Sequence, residues 1–259
     1  MKLLIPALLM MAMSSGVFAA IKSEKVEYQC GDTVLEGYLA WDDAVAGKRP
    51  GVMVVHEWYG LNDYAKKRAE QLAALGYVVF AADMYGKGVL ATTPEEARKL
   101  ATALRQDRKL MRLRAEAGLE TLKKQPLCDP SRVAAMGYCF GGGTVLELAR
   151  DGADVKGVVS FHGNLDTPNP ADAKNIRGKV LVLTGADDPS VPPKQVEDFM
   201  AEMRAAGVDY QIVSYGGAVH AFTNPASGND PKRGAAYNEA ADRRSWEAMK
   251  QFFTETLGK

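Results

Sequence analysis

Cysteine and histidine are scarce, with three of each in 259 residues. So few cysteines exclude a disulfide-built scaffold, and with no Cys-x-x-Cys pair there is no dithiol redox motif. The histidines, His56, His162 and His220, are too scattered for zinc-site spacing, so neither metal nor organic cofactor is expected. Net charge is also missing, because 32 basic side chains balance 32 acidic ones; a general attraction for nucleic acid is excluded. The basic stretch "RQDRKLMRLR" (105–114) has Leu110 and Leu113 at helical spacing from Leu104 and reads as a solvated helix face. Linkers, low-complexity tracts and internal repeats are absent as well. Residues 20–259 are therefore expected to form a single α/β domain, taken as a monomer.

No apolar run reaches the roughly 20 residues that span a bilayer, so no membrane span is expected in the mature chain. The start, "MKLLIPALLMMAMSSGVFAA", has a basic Lys2, an apolar stretch from Leu3 to Met13, and small residues leading to Ala19. That pattern is a signal peptide over 1–19, cleaved after Ala19 with Ala20 as the alternative. Lys2 is the one charge removed, which leaves the remainder one unit acidic. An exported protein follows, most simply periplasmic or otherwise secreted. In such an oxidising compartment Cys30 and Cys128 could pair and leave Cys139 free.

What is present is an alternation of elements. "KVEYQ" and "TVLEGYLAW" predict two antiparallel strands turned at Cys30-Gly31-Asp32. "GVMVVH", "YVVFAAD", "RVAAMG", "VKGVVSFHG" and "KVLVLTG" are the continuous apolar runs of buried parallel strands, and "DYQIVSY" is a further strand. Between them lie helices. One runs from about Asn62 to Leu75; "TPEEARKLATAL" opens with a capping box at Thr93 and Glu96; others are "GGGTVLELAR", "PPKQVEDFMAEMRAAG" and a tail from about Gly234 to Leu257. This order predicts a mostly parallel sheet with helices on both faces. Reactive groups in such sheets collect where the strands end, and His56-Glu57, Cys139, Asp187-Asp188 and His220 all follow apolar strands.

Cys139 is the candidate nucleophile. In "AAMGYCFGGGTVLEL" it stands between a strand and a helix, with Gly137 two residues before and Gly141 two after. A turn that sharp strains the residue at the bend and demands small neighbours at those positions, which would otherwise collide with it. The helix start beside it offers N–H groups and a positive dipole end, which favour a thiolate and an oxyanion. The base is expected at His220, in the Gly216-Gly217 loop after "DYQIVSY". His162 is expected to be structural or a pocket wall, and His56 ranks behind His220 as a core histidine. Asp187 and Asp188 both end a strand, and residue physics alone leaves open which of them holds the imidazole.

The segments "GYCFGG", "GADDPSVP", "VHAF" and "VHEWYGLN" together resemble the dienelactone hydrolase family of the α/β-hydrolase fold, over nearly all of the mature chain. The resemblance implies a Cys-His-Asp triad on Cys139, His220 and Asp188, since the family's Asp-x-x-Val-Pro spacing falls on Asp188 to Pro192. It also implies that Glu57 pairs with the resting thiol, and that the N–H groups of Trp58 and Phe140 form the oxyanion hole. Tyr85, His162 and Phe222 are candidate pocket walls. Family arginines that hold the dienelactone carboxylate are missing from "ADMYGKG" and "HAFTNP"; Lys87 is the cation expected in place of the first, whereas Thr223-Asn224 cannot replace the second. The implied activity is hydrolysis of a small carboxylic ester or lactone through a thioester, on a substrate other than dienelactone. The alternative is an inactive exported relative that binds small acids or esters.

Overall fold

The computed structural model describes residues 21–258, so the expected signal peptide lies outside the described residues. Strands β1 (Ile21–Cys30) and β2 (Thr33–Asp42) form the antiparallel hairpin, turned at Gly31 with φ of 57°. β2 lies antiparallel to β4 (Val78–Ala82). From there β3 (Arg49–Val55), β5 (Cys128–Tyr138), β6 (Gly157–Phe161), β7 (Lys179–Gly185) and β8 (Tyr210–Tyr215) continue the sheet in parallel. The order across the eight strands is β1-β2-β4-β3-β5-β6-β7-β8. Crossover helices are needed between parallel neighbours, which is why the chain alternates as it does.

The apolar strands divide by their two-residue period. Met53, Val55, Phe80, Ala135 and Val182 face one core, packed by α3 (Arg108–Lys123), α4 (Phe140–Arg150) and α5 (Pro193–Ala206) through Leu119, Leu148 and Phe199. Val52, Val54, Val79, Met136 and Leu183 face the other, packed by α1 (Asp63–Ala74) and α6 (Glu239–Leu257) through Leu72 and Phe253. Each such fully buried Val, Leu or Phe contributes about 1.5–3 kcal/mol. Burial on both faces explains the runs that carried no polar alternation. Among the described residues no helix is long and apolar enough to cross a membrane.

Several expectations are corrected in detail. The basic stretch is not one helix face: α2 (Pro94–Gln106) ends and α3 begins at Asp107, whose carboxylate accepts the N–H of Leu110 at 2.9 Å. Leu104 is buried while Leu113 is 50% exposed, because the break rotates the two faces apart. In the capping box Thr93 accepts from Glu96 N, but the Glu96 carboxylate returns to Thr92 at 2.8 Å. The last helix starts at Glu239, behind Asn238 as cap, and not near Gly234. Cys30 and Cys128 are both free. Cys30 closes β1 at the edge where the parallel strands end, whereas Cys128 opens β5 at the edge where they begin, a separation no disulfide bridges.

Candidate active site

At the carboxyl edge of the sheet β5 turns directly into α4, and Cys139 is the hinge residue, with φ of 53° and ψ of −113°. Left-handed backbone of this kind costs an L-residue about 1–3 kcal/mol and persists only where the surroundings over-determine it. The flanking glycines supply that, though not by sparing the cysteine side chain. A Cβ on Gly137 would stand 2.1 Å from the carbonyl oxygen of Gly141, and one on Gly141 would stand 2.2 Å from that of Val55. Strand, helix and the end of β3 meet backbone to backbone, and only glycine permits it.

Cys139 is 8% exposed, and its thiol lies 3.0 Å from His220 Nε2. His220 Nδ1 lies 2.9 Å from Asp188 Oδ2, and the Asp188 side chain is fully buried. Asp188 Oδ1 accepts the N–H of Ser190 at 2.7 Å, which fixes the carboxylate plane. The neighbouring acid serves the loop instead, since exposed Asp187 accepts the N–H of Gly217 at 3.0 Å and pins the segment that carries the histidine. Of the two acids, the one whose carboxylate faces the imidazole is Asp188. Burial alone pulls the His220 imidazole down, yet the negative charge at Cys139 and the Asp188 carboxylate outweigh it, and the group stands well above its ordinary value.

His162 is not a pocket wall. It is buried with φ of 39°, and its Nδ1 accepts the backbone N–H of Cys139 at 3.1 Å, a donor shared with the Phe161 carbonyl. Since Nδ1 accepts, Nε2 carries the hydrogen and donates to Thr223 Oγ1 at 2.7 Å. Burial, then the charges of His220 and Arg68, hold His162 well below its ordinary value, so it stays neutral. Thr223 is held in turn by the Tyr64 hydroxyl at 2.6 Å and, through its carbonyl, by Arg68 at 2.7 Å. Phe222, fully buried against His162 and Tyr215, is core and not wall. His56 is the expected core histidine: Met84 N donates to its Nε2 and its Nδ1 donates to the Glu57 carbonyl.

Glu57 is buried, and its Oε2 accepts from Asn224 Nδ2 at 2.6 Å, while the hydrogen bond of the thiol goes to His220. The implied Glu57–thiol pair is therefore replaced by a Glu57–amide pair. Burial pushes the Glu57 carboxyl above its ordinary value. Among the described residues neither the Trp58 N–H nor the Phe140 N–H donates to a protein acceptor. The Tyr85 hydroxyl donates to the Trp58 carbonyl at 2.9 Å, and its ring packs on His56 and Phe140. Lys87 is not brought to this group: it is exposed on the hairpin side, with Nζ on Glu27 and its N–H on the Val34 carbonyl. Sequence reading missed Asn224, Thr223, Tyr64 and Arg68. The Asn-Pro pair of "HAFTNP" is a turn signal, but nothing local shows that its polar side chains face inward.

The model of the dienelactone hydrolase family matches residues 35–257. Protein usf of Aquifex pyrophilus is 30% identical over 243 residues, covering 90% of this chain and 99% of its own. Two solved structures each cover 92% of this chain and 99% of their own: m3DLH, at 44% identity and TM-score 0.89, and a dienelactone hydrolase-like promiscuous phosphotriesterase from metagenomic libraries, at 43% and 0.88. With that match over most of its length, on an α/β-hydrolase sheet, the chain belongs to the dienelactone hydrolase family and is an ester or lactone hydrolase.

Proposed function

We propose that this protein hydrolyses small carboxylic esters or lactones by covalent catalysis at Cys139. The thiolate attacks the carbonyl carbon, and the oxyanion is received by the N–H groups of Trp58 and Phe140. As the tetrahedral adduct collapses, the alkoxide leaves with the proton held by His220, and a thioester remains on Sγ. Water then attacks the thioester, gives its proton to His220 and releases the acid. Asp188 keeps the imidazole in the tautomer whose Nε2 faces sulfur. The observation that carries the reading is the unbroken chain of hydrogen bonds from Sγ through both imidazole nitrogens to a buried carboxylate, at 3.0 and 2.9 Å. The buried Glu57 carboxyl is held by the Asn224 amide at 2.6 Å. The leader pattern at 1–19 supports export, and we place the protein in the periplasm or outside the cell.

Kinship with a promiscuous phosphotriesterase at 43% identity favours one second reading, in which the same sulfur also attacks activated phosphotriesters. A chromogenic short-chain ester and an aryl phosphotriester, each offered to wild type and Cys139→Ala, test both. Ester turnover by the wild type that falls at least about 10³-fold in the variant is expected. Equal ester turnover in the two proteins would remove Cys139 from the mechanism.

A further inference from the structure

The end of β6 carries a titratable residue that the triad does not use. His162 is fully buried, and its backbone holds φ of 39°, which an L-residue keeps only where its surroundings enforce it. They do so here. A Cβ on the following residue, Gly163, would stand 2.6 Å from the carbonyl carbon of Gly142, so the end of β6 and the first turn of α4 meet backbone to backbone. His162 is thereby locked to the helix that Cys139 opens.

What the ring does there goes beyond satisfying the backbone. The Cys139 N–H already has the Phe161 carbonyl at 3.0 Å, so His162 Nδ1 at 3.1 Å is a second acceptor on a donor that had one. The other ring nitrogen donates to Thr223 Oγ1 at 2.7 Å, and that hydroxyl is bonded to the Tyr64 hydroxyl at 2.6 Å. Tyr64 accepts from Arg68 Nε at 3.3 Å, while Arg68 Nη2 ties the Thr223 carbonyl to Asp242 of α6. A second chain of hydrogen bonds thus reaches Cys139, from α1 and α6, separate from the one that ends on Asp188. The same ring also touches the base: the His162 and His220 centroids are 5.3 Å apart, edge to face, and Phe222 packs on His162 at 5.1 Å. A protonated His162 would lose its acceptor and set a cation against the His220 imidazole. Burial, then the charges of His220 and Arg68, keep it neutral.

From this geometry we propose that His162 is a positioning residue for the hydrolysis, an imidazole locked by Thr223 as its Nε2–H tautomer so that Nδ1 fixes the Cys139 peptide in its bend while the ring edge holds His220 on the sulfur. Rotation of the peptide between Tyr138 and Cys139 would swing Sγ away from His220 Nε2, and proton transfer over 3.0 Å tolerates little of that. The inference rests on the reading of Cys139 as the nucleophile, and adds to it a side chain with no bond to the sulfur.

The test compares hydrolysis of p-nitrophenyl butyrate by wild type, His162→Asn and His162→Gln. The Asn carbonyl stands where Nδ1 does and takes the Cys139 N–H, whereas the Gln amide stands where Nε2 does and keeps only the Thr223 bond. In His162→Gln kcat is expected to fall about 10–100-fold with KM within about threefold, and in His162→Asn to recover most of that loss. A residue that only filled space would show no such order, so equal kcat in the two variants, or a more active His162→Gln, overturns the proposal. A second measurement uses the wild type and depends on no variant's folding. In NMR of protein labelled with ¹⁵N-histidine, His162 is expected to keep one protonated nitrogen, Nε2, from about pH 5 to 9. A hydrogen on Nδ1, or both nitrogens protonated in that range, overturns the proposal. Equal ester turnover by wild type and Cys139→Ala would remove the nucleophile reading and this proposal with it. Turnover that depends on Cys139 but not on the choice of Asn or Gln at His162 overturns this proposal alone.

Discussion

Replacing Asp188 by Asn keeps size and one acceptor while removing charge, and the surrounding hydrogen bonds dictate the consequence. Oδ1 still accepts the Ser190 N–H, now 2.7 Å away, so the loop keeps its shape. The other position becomes an NH₂ facing His220 Nδ1 across 2.9 Å. A donor there requires Nδ1 to accept, and the imidazole hydrogen moves to Nε2, aimed at the sulfur 3.0 Å away. The histidine can then no longer take the thiol proton. The cost is the wrong tautomer plus the lost stabilisation of the imidazolium, about 10⁴-fold in kcat, or roughly 5.4 kcal/mol at 1.36 kcal/mol per decade. Loss of the carboxylate also lowers the His220 pKa from its raised position, since Asp188 is one of the groups that hold it up. The assays are steady-state hydrolysis of a chromogenic ester and NMR titration of the His220 ring, with Asp187→Asn as control. Because Asp187 only holds the Gly217 N–H, that control is expected within about threefold of wild type. Activity of Asp188→Asn within tenfold of wild type, or equal damage from the two variants, would refute the assignment of roles.

Three further outcomes follow from packing and charge. Gly137→Ala drives a Cβ to 2.1 Å from a backbone oxygen that cannot yield, and is expected to lose about 3–5 kcal/mol in urea unfolding; a loss under 1 kcal/mol would show the elbow to be looser than described. Glu202→Ala strips both oxygens from the Arg150 fork, which is 1% exposed and bonded to them at 2.7 and 2.8 Å. It should cost about 3–5 kcal/mol, at about 2–4 °C of Tm each for a chain of this size. Glu57 has a folded-state pKa raised by burial, so its contribution to stability is full below the ordinary carboxylate range and is lost as pH rises through the raised value. Glu57→Gln is therefore expected to melt above wild type at pH 8, with the gap closing toward pH 4; a gap that widens on acidification would reverse the sign assigned here.

The parallel strands were legible because burial on both faces leaves a run such as "GVMVV" with no polar member, a pattern that length and flanking residues assign to a strand. Cys139 was legible for a related reason: glycines at Gly137 and Gly141 are demanded by backbone contacts as close as 2.1 Å, and a demand that strict writes itself into local sequence. Asp107 breaking the helix was readable in principle as an N-cap three residues before Leu110, but helix formers on both sides masked it. The partners of Glu57 and His162 were not legible. Asn224 and Thr223 are 167 and 61 residues away from them in the chain, and they meet only because three strand ends converge.

That convergence explains where the chain breaks its own backbone rules. Among the described residues the non-glycine positions with positive φ are Cys139, His162 and Ala221, and each stands at or beside a group of the site. They follow β5, β6 and β8, strands that end at one edge of the sheet. Each of them is tied down by backbone hydrogen bonds at or beside it. Cys139 N donates to Phe161 and His162 while its carbonyl starts α4, His162 N donates to Leu183, and the His220 backbone before Ala221 is bridged to Gly234 and Ala236. Strain of about 1–3 kcal/mol at each position is sustainable only because the sheet behind it is rigid and fully packed. Relaxing any one of the three would turn sulfur, imidazole or the His162 support out of line. Directional chemistry at a sheet edge requires bends that ordinary loops do not adopt, and the bends are found at these three strand ends and nowhere else among the described non-glycine residues.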